Sequence, residues 1–407
     1  MSNITGKDPN DTALPVEWGY RTLGEIAEIT MGNSPPGESY NEEGIGVPLV
    51  NGPVEFSEGA FGLTKKIKFT TAPTKVCRSG DFLICVRGST TGRTNIAAFD
   101  ACIGRGVASI RAKMSQRYLN HFVRTLEKRI HASGKGSTFP SISQQQLADL
   151  SIPLPSPDNP KRSTEEQKRI ADILDKADAI RRQRQDAINL SQDILRSAYL
   201  HCFGDPIANP QGWPMKELGE LADIVTGFAF KSSEYIEEGI RLCRGANVLP
   251  DRIDWSDVRY WRNDDSTVDK KLKLENGDVV LAMDRPWISS GTKVAQLTES
   301  DLPAYLVQRV TRLRGIGYIS NAFLYYTIRH PAFTAHCGGL KTETIVPHIS
   351  SADIKSFRVP VAPRHIHEKF DALANNTQAG IQRQRRATNE ATSLFNSVVQ
   401  RAFKGDL

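Results

Sequence analysis

The sequence predicts a mixed α/β protein that contains two similar domains and two long helices, arranged as an internal repeat. Three observations support this prediction. The second half of the chain repeats the first at an offset of 195 residues, so that Trp213 corresponds to Trp18. Each half begins with short apolar runs that Gly, Pro and Asn interrupt, a pattern typical of strands and turns. Each half ends on a long segment with helical periodicity.

The repeat is clearest at the start of each half, where residues 18–45 align with residues 213–240. At the constant offset these positions are identical: Trp18, Leu23, Gly24, Glu25, Ala27, Ile29, Gly32, Tyr40, Glu43, Gly44 and Ile45. With small gaps, further matches join residues 79–84 to 276–281, 139–155 to 346–362, and 179–187 to 380–388. The stretches 46–78 and 241–275 do not match. The two halves therefore share one frame and differ in what is inserted into it.

The first long helix is predicted over residues 163–201, because Ser163 and Glu166 have the spacing of a capping box and this segment contains no Pro or Gly. The second is predicted from about His367 to Phe403, with Gly380 as its weak point. Each helix carries an apolar stripe that needs a partner, and the nearest partner is the other helix. Two helices related by a pseudo-two-fold axis would pack antiparallel as a coiled coil. The predicted seam consists of Ile170, Ile173, Ala177, Ile180, Ile194, Phe370, Leu373, Ile381, Leu394 and Val398.

These features predict five segments along the chain. They are a flexible tail (1–14), a first domain (15–158), a central helix (159–205), a second domain (206–363) and a C-terminal helix (364–407).

Composition narrows the class of protein. The 407 residues suffice for two cores, and no apolar run is long enough to cross a bilayer. The N-terminus is polar and lacks a signal-peptide core, so we expect a cytoplasmic protein with reduced cysteines. A net charge of +6 permits an anionic partner such as DNA without requiring one. The pair His365 and His367 is too little for a metal site.

Two variable domains, each closing on a segment of the type IS…L…IP.P, and the run EQKRIADILDKADAI after the first one, resemble the specificity subunit of Type I restriction–modification enzymes. The final AFKGDL looks like that family's usual ending, and the resemblance extends from about Val16 to Leu407. The second helical segment departs from the pattern because it lacks the EQ start, and Glu368-Lys369 is the nearest match. This departure weakens any assignment of partner contacts there.

The resemblance implies that each domain is a target recognition domain, which reads one half of an asymmetric bipartite DNA site with an unread spacer. It implies that the helices set the spacer and dock two methyltransferase subunits, which bring S-adenosylmethionine. Restriction subunits, which bring ATP and Mg²⁺, would join in the full enzyme. This chain would bind no cofactor or metal and would not be an enzyme by itself. The alternatives are a specificity module of a related Type IIB-like complex and a coiled-coil adaptor with no DNA role.

Contacts to DNA need basic side chains at phosphates and polar ones at base edges. Arg105 and Arg309 are predicted to occupy matching positions and to serve the shared frame or the phosphates. For each cation the alternative is a solvated charge or a structural ion pair. The candidates are Lys65, Lys66, Lys68, Arg87, Arg93 and Arg105 in the first domain, and Arg244, Arg285, Lys293 and Arg309 in the second.

Three strings imitate catalytic motifs. Residues 157–158 and 166–168 contain the letters of a PD…ExK nuclease, but the second part falls in a predicted helix, whereas that chemistry needs carboxylates on adjacent strands. Residues 88–94 resemble a phosphate-binding loop but are one residue too short and have Arg in place of Lys. Residues 33–37 lack the aromatic residue that adenine methyltransferases stack on a flipped base. We therefore expect that the isolated chain neither methylates nor cleaves DNA.

Overall fold

The computed structural model describes residues 14–57, 59, 61–127, 141–263, 268–339 and 348–407. The predicted tail lies almost entirely outside the described residues, as do residues 139–140 and 346–347 of the matching segments. The chain divides into two compact units. The first consists of Met1–Arg184 and Ala387–Leu407, and the second of Gln185–Arg386.

The described part of the first unit contains three short helices and the beginning of a long one: α1 (Leu23–Ile26), α2 (Gln116–Thr125), α3 (Gln144–Ala148) and α4 (Pro160–Phe203). Its strands are β1 (Trp18–Thr22), β2 (Ala27–Met31), β3 (Tyr40–Asn41), β4 (Val47–Val50), β5 (Lys68–Thr70), β6 (Val76–Cys77), β7 (Phe82–Cys85), β8 (Thr94–Ile96), β9 (Ala101–Ile103), β10 (Val107–Ala112) and β11 (Ser151–Pro155). They form sheets in the orders β2-β10-β7-β8, β3-β5-β4-β9-β6 and β1-β11.

The second unit contains α5 (Leu218–Leu221), α6 (Asn321–Arg329), α7 (Pro331–Gly339), α8 (Ser351–Lys355) and the first half of α9 (Arg364–Lys404). Its strands are β12 (Met215–Glu217), β13 (Ala222–Thr226), β14 (Ile240–Cys243), β15 (Val248–Leu249), β16 (Arg252–Ile253), β17 (Tyr260–Trp261), β18 (Val279–Ala282), β19 (Trp287–Ile288), β20 (Gly291–Thr292), β21 (Val294–Gln296), β22 (Ala304–Leu306), β23 (Val310–Gly315) and β24 (Arg358–Pro360). The sheet orders are β13-β23-β18-β21, β17-β14-β22, β12-β24, β15-β16 and β19-β20.

The two units have the same framework. The antiparallel sheet β2-β10-β7-β8 of the first unit corresponds to β13-β23-β18-β21 of the second, and the pair β1-β11 corresponds to β12-β24. The parallel pair β4-β9 likewise corresponds to β14-β22. The sequence repeat is therefore a repeat of strand order, while the unmatched inserts add different strands to each unit.

Identical glycines of the repeat lie where the backbone leaves no space for a side chain. A Cβ atom on Gly32 would lie 2.2 Å from the carbonyl oxygen of Gly104, and one on Gly227 would lie 2.2 Å from that of Val307. The amides of both glycines donate to carbonyls of the neighbouring strand, at 2.9 and 3.0 Å. Close backbone approach accounts for glycine at this point in both units.

A buried ion pair also recurs in the framework. Arg111 donates two hydrogen bonds of 2.8 Å to Asp81, and Arg314 donates bonds of 2.8 and 2.9 Å to Asp278. The two carboxylates are 3% and 1% exposed. Burial raises the pKa of Asp81, but the hydrogen bonds from Arg111 and its neighbours outweigh this and lower it. Paired guanidinium–carboxylate bonds of this geometry hold the middle strands of each sheet in register.

The long helix α4 begins three residues before the predicted capping box. Pro160 is its first residue, and the side-chain oxygen of Asn159 accepts a hydrogen bond of 3.2 Å from the amide of Arg162. Ser163 lies inside the helix and is buried, and its hydroxyl accepts a 3.0 Å bond from Gln167. The prediction that Ser163 caps the helix was therefore wrong, because the Asn-Pro pair provides the stronger start.

The two long helices pack antiparallel, as predicted. In the first unit, Ile170 and Leu174 near the start of α4 share one hydrophobic core with Ala402 near the end of α9. In the second unit, Tyr199 near the end of α4 contacts Phe370 near the start of α9, with ring centroids 6.0 Å apart. Gly380 does not interrupt α9.

The buried stripe of the helices differs in part from the predicted seam. Positions such as Leu174, Ile188 and Leu195 are buried, because each unit packs its own domain core against the helices as well as the opposite helix. Of the predicted seam residues, Ile170, Phe370 and Ile381 are buried, Ile173, Ala177 and Val398 are half-buried, and Ile180, Ile194, Leu373 and Leu394 are exposed. The four exposed residues are not part of the buried seam.

Within the described residues, no helix is both long and apolar enough to span a membrane. The six cysteines, all within the described residues, form no disulfide bond, and Cys202 alone among them is not fully buried.

Candidate nucleic-acid interface

A surface cleft in the second unit brings together all four cations predicted there. The cleft has a volume of about 510 Å³. It lies where the loop after β14, the loops before β19 and β21, and the turn before β23 meet. Its lining residues are Tyr235, Arg244, Gly245, Ala246, Asp284, Arg285, Lys293, Val307, Gln308 and Arg309. Cations that are distant in sequence thus form one basic surface.

Two of the four cations are held by other groups of the protein. Arg244 forms a 2.8 Å ion pair with Asp257, and its side chain is 21% exposed. The ammonium of Lys293 donates a 2.6 Å hydrogen bond to the carbonyl of Gly245, and partial burial lowers its pKa. These bonds orient the two side chains and stabilise the loop after β14, so both residues have a structural part in the cleft.

Asp284 organises a third cation at the floor of the cleft. One carboxylate oxygen is 2.5 Å from Arg309, and the other is 2.5 Å from the imidazole of His348. Burial raises the pKa of Asp284, but the hydrogen bonds from Arg309 and His348 outweigh this and lower it. Asp284 is therefore ionised at neutral pH, and it holds the 65% exposed side chain of Arg309 in place.

Arg285 is the cation of the cleft that is available to a ligand. It is exposed and forms no ion pair with any carboxylate that the structure describes. Its backbone has a φ of +44°, which L-residues rarely adopt. Because this conformation is unfavourable for an arginine, the surrounding loop must hold the backbone in it. The loop therefore determines where the side chain of Arg285 lies.

The predicted cations of the first unit are less tightly held. Lys65, Lys66, Arg87 and Arg105 are exposed, whereas Lys68 and Arg93 are half-buried. The ammonium of Lys66 lies 5.0 Å from the ring centre of Phe99. Over the described part of this unit, none of the six pairs with a carboxylate. Exposed and unpaired cations of this kind can neutralise phosphates without first breaking an internal bond.

Strand registers show which residues of the two units are equivalent. The amides of Cys85 and Ala282 donate to the carbonyls of Arg93 and Lys293, respectively, so these two cations occupy the same position. Isolated bridges pair Arg87 with Ser141 and Asp284 with His348. The framework therefore carries a cation in both units at the position of Arg93 and Lys293. At the position of Arg87 and Asp284 the two units carry opposite charges.

The same registers correct one prediction. Val107 pairs with Cys85, and Val310 pairs with Ala282, so Val107 and Val310 are equivalent. Arg105 therefore corresponds to Gln308, and not to Arg309 as the alignment of the repeat suggested. The one-residue error arose because both segments contain an arginine just before the strand, and only the hydrogen-bond ladder distinguishes the two registers.

Sequence reasoning missed several residues of the cleft. Tyr235 was visible as an identity of the repeat with Tyr40, but it had no assigned role. The sequence did not indicate a role in the cleft for Asp284, Gln308 and His348, because a carboxylate, an amide or an imidazole in a loop can have many structural roles. Only the tertiary fold brings them beside the cations.

The residues of the sequence that resembles a nuclease motif, 157–158 and 166–168, form ion pairs and part of a helix instead. Asp158 forms a 2.6 Å ion pair with Arg21, and Glu166 forms one of 2.6 Å with Arg169. Glu166 and Lys168 lie in the helix α4 and not on a strand. The nuclease arrangement of two carboxylates on adjacent strands is therefore not formed by these residues.

Comparison with known proteins shows which proteins the chain is similar to. Residues 15–190 match the Type I restriction modification DNA specificity domain. The specificity subunit of the Type I restriction enzyme MjaVIII from Methanocaldococcus jannaschii is 25% identical over 385 residues, which cover 89% of this chain and 86% of that protein. The EcoAI specificity subunit from Escherichia coli is 32% identical over 173 residues, or 41% of this chain and 29% of that protein.

The fold is also that of a solved structure. The S subunit of a Type I restriction-modification system from M. genitalium superimposes with a TM-score of 0.53 at 16% identity, and the match covers 98% of both chains. This similarity shows the fold alone.

Over residues 15–190 the chain thus matches the Type I restriction modification DNA specificity domain, in agreement with the predicted resemblance. The similarity to the MjaVIII specificity subunit extends over most of the chain.

Proposed function

We propose that this chain is the specificity subunit that directs a Type I restriction–modification complex to an asymmetric bipartite DNA site. Each domain, 15–158 and 206–363, reads one half-site, and the helices 159–205 and 364–407 set the length of the unread spacer. The observation that carries the proposal is the DNA specificity domain at residues 15–190, together with the same strand order in the second unit. Two copies of one reading framework with different inserts suit two different half-sites.

The charges of both units support contact with DNA. The first unit presents exposed cations without carboxylate partners among the described residues, and the second presents a basic cleft with Arg285 available to a ligand. Since phosphate contacts position a protein on the duplex while base contacts specify the sequence, most of these cations suit the positioning role.

Exposed apolar side chains on the helices suit protein partners. In the first unit these are Ile180 on α4 and Leu394 on α9, and in the second unit they are Leu190, Ile194, Leu200 and Leu373. A single exposed apolar residue needs no partner, but several of them along two helices can contribute to the larger apolar surfaces that mark protein interaction sites. The proposal assigns these surfaces to two methyltransferase subunits, which would bring S-adenosylmethionine, while restriction subunits would bring ATP and Mg²⁺. The complex would act on DNA in the cytoplasm.

Genome-wide mapping of methyl-adenine tests this function. A host that expresses the partner methyltransferase subunits is compared with and without this chain. The proposal expects methylation at one split asymmetric motif, and only when the chain is present. If the methyltransferase is active on a matched control motif through another specificity subunit but this chain adds no motif, the proposal is wrong.

Co-purification separates this proposal from its closest alternatives. A Type IIB-like complex would give the same split motif, but the chain would purify with a fused methyltransferase–nuclease instead of separate subunits. A coiled-coil adaptor would give partners but no motif. Replacing residues 46–140 with the corresponding part of another specificity subunit should change one half-site only, a result that an adaptor cannot explain.

A further inference from the structure

We propose that two equivalent positions in each unit form the pair of side chains that reads bases. The reading pair, as we call it, is Asn33 and Arg105 in the first unit and Phe228 and Gln308 in the second. The inference rests on the proposed function, and it identifies which residues of the two units distinguish the half-sites.

The members of each pair lie at the same junction of the framework. A backbone bond joins them directly in the second unit, whereas in the first unit the amide of Arg105 donates to the hydroxyl of Ser34, at 3.3 Å. In the second unit, the amide of Gln308 donates a 2.8 Å hydrogen bond to the carbonyl of Phe228, whose own amide donates to Leu306 at 3.2 Å. In the first unit, the amide of Asn33 donates a 3.0 Å bond to Ile103, the equivalent of Leu306. Both junctions follow the tightly packed glycine of the repeat, so the position of each pair is determined by the framework.

Every side chain of the two pairs is exposed. Phe228 is 55% exposed, and Asn33, Arg105 and Gln308 are also at the surface. The ring of Phe228 contacts that of Phe230, edge to face at 5.3 Å, and this contact leaves most of the ring open. An aromatic ring at a rigid junction loses little entropy on binding and gains from burial against another surface.

The pair of the second unit lies beside the cations that would hold the DNA backbone. Gln308 lines the basic cleft together with Arg285 and Arg309. Val307 also lines the cleft and forms a parallel bridge with Phe228. When these cations bind phosphates, Gln308 in the cleft and Phe228 beside it offer non-cationic groups to base edges.

The chemistry of the two pairs differs in a way that predicts different bases. Gln can bind the N6 and N7 edge of adenine with two hydrogen bonds, and Phe packs on the thymine methyl group, so Phe228 and Gln308 suit adjacent A·T pairs. Asn also suits adenine, whereas Arg suits the O6 and N7 edge of guanine. Asn33 and Arg105 therefore suit a half-site that contains a G·C pair. Equivalent positions with different side chains explain an asymmetric target on one framework.

The test transplants one pair onto the other unit. The double variant Phe228→Asn, Gln308→Arg of the full chain is co-expressed with the methyltransferase subunits, and methyl-adenine is mapped genome-wide. One or two adjacent positions of the half-site read by the second unit should change from A·T to a motif containing G·C. The other half-site and the spacer should stay the same. On duplexes of the old motif, binding should weaken by roughly five- to 150-fold for each lost base contact.

A matched control and the reciprocal exchange make the result decisive. Ile316→Ala removes an apolar residue of the second unit that is similarly exposed, at 52%, beyond the other end of β23, and it should leave the motif unchanged. The reciprocal variant Asn33→Phe, Arg105→Gln should alter the half-site of the first unit only. If both exchanges leave a wild-type motif, or alter the spacer or the half-site of the other unit, the reading pair is wrong while the specificity function stands. If the unmodified chain directs no motif, the proposed function itself fails.

If the exchange in the second unit abolishes methylation altogether, Phe228→Ala replaces it, because truncation adds no new group. This variant should relax the motif at one position instead of shifting it. An unrelaxed motif with normal methylation would contradict the inference.

Discussion

Replacing His367 with phenylalanine should make the stability of the second unit much less sensitive to acid. His367 is completely buried at the start of α9, and neither ring nitrogen has a hydrogen-bond partner among the described residues. Its neighbours are the rings of Phe203 and Phe323, each 4.8 Å away, and that of Tyr318 at 5.3 Å. Burial in this aromatic surrounding lowers the pKa of His367 from 6.5 to about 4.

The size of the effect depends on that pKa. Above pH 6.5 the imidazole is neutral in both the folded and the unfolded chain, so it has no influence on the pH dependence. As the pH falls from 6.5 to 4, the unfolded chain takes up a proton that the folded unit does not. Each pKa unit corresponds to about 1.4 kcal/mol, so the wild type loses about 2 kcal/mol by pH 5 and about 3 kcal/mol by pH 4. For a unit of this size, 2 kcal/mol lowers the melting temperature by about 4–8 °C.

The assay compares thermal and urea unfolding of the full chain and its variants at pH 8, 6.5, 5 and 4. Titration of the other groups, among them His121 and the half-buried Asp371, is shared by all variants and cancels in the difference. The His367→Phe variant should match the wild type at pH 8 within the effect of repacking and should exceed it by about 2 kcal/mol at pH 5. His365→Phe, at an exposed position on the same helix, is the control and should follow the wild type. Parallel pH profiles for His367→Phe and the wild type would show that His367 does not control the acid sensitivity.

Three further predictions concern DNA binding, the framework and the chain ends. Arg285→Ala should weaken DNA binding about equally for all sequences and reduce the slope of log affinity against log salt by about one, whereas a sequence-dependent loss would make it a base contact. Asp278→Asn should cost roughly 1–3 kcal/mol in urea unfolding, because it leaves Arg314 without its buried partner, and an unchanged midpoint would contradict that role. A circular permutant that links Leu407 to Pro15 and opens the chain at Asn209 should direct the same methylation motif, since a Cβ on Gly405 would lie 2.5 Å from Pro15. Loss of the motif in a folded permutant would show that the ends must be free.

The architecture could be predicted from the amino-acid sequence. Identities at a constant offset, such as Trp18 with Trp213 and Gly32 with Gly227, are local signals of a shared framework, and the structure confirms the same strand order in both units. The long helices were equally visible, because periodicity over about forty residues needs no tertiary information. Burial within the helices was less predictable: Leu394 is exposed although it fits the stripe, since each helix must face a domain core as well as its partner helix.

The candidate site could be located only from the tertiary structure. The start of α4 was instead a choice between two local signals, in which Asn159 and Pro160 prevailed over Ser163. The equivalence of Arg105 with Gln308 depended on the hydrogen-bond register of β10 and β23, which a gapped alignment cannot resolve to one residue. The basic cleft depended on loops distant in sequence that meet at one edge of the sheets. Such convergence has no periodic or compositional signature, because the residues in loops are constrained by position in space and not by their neighbours along the chain.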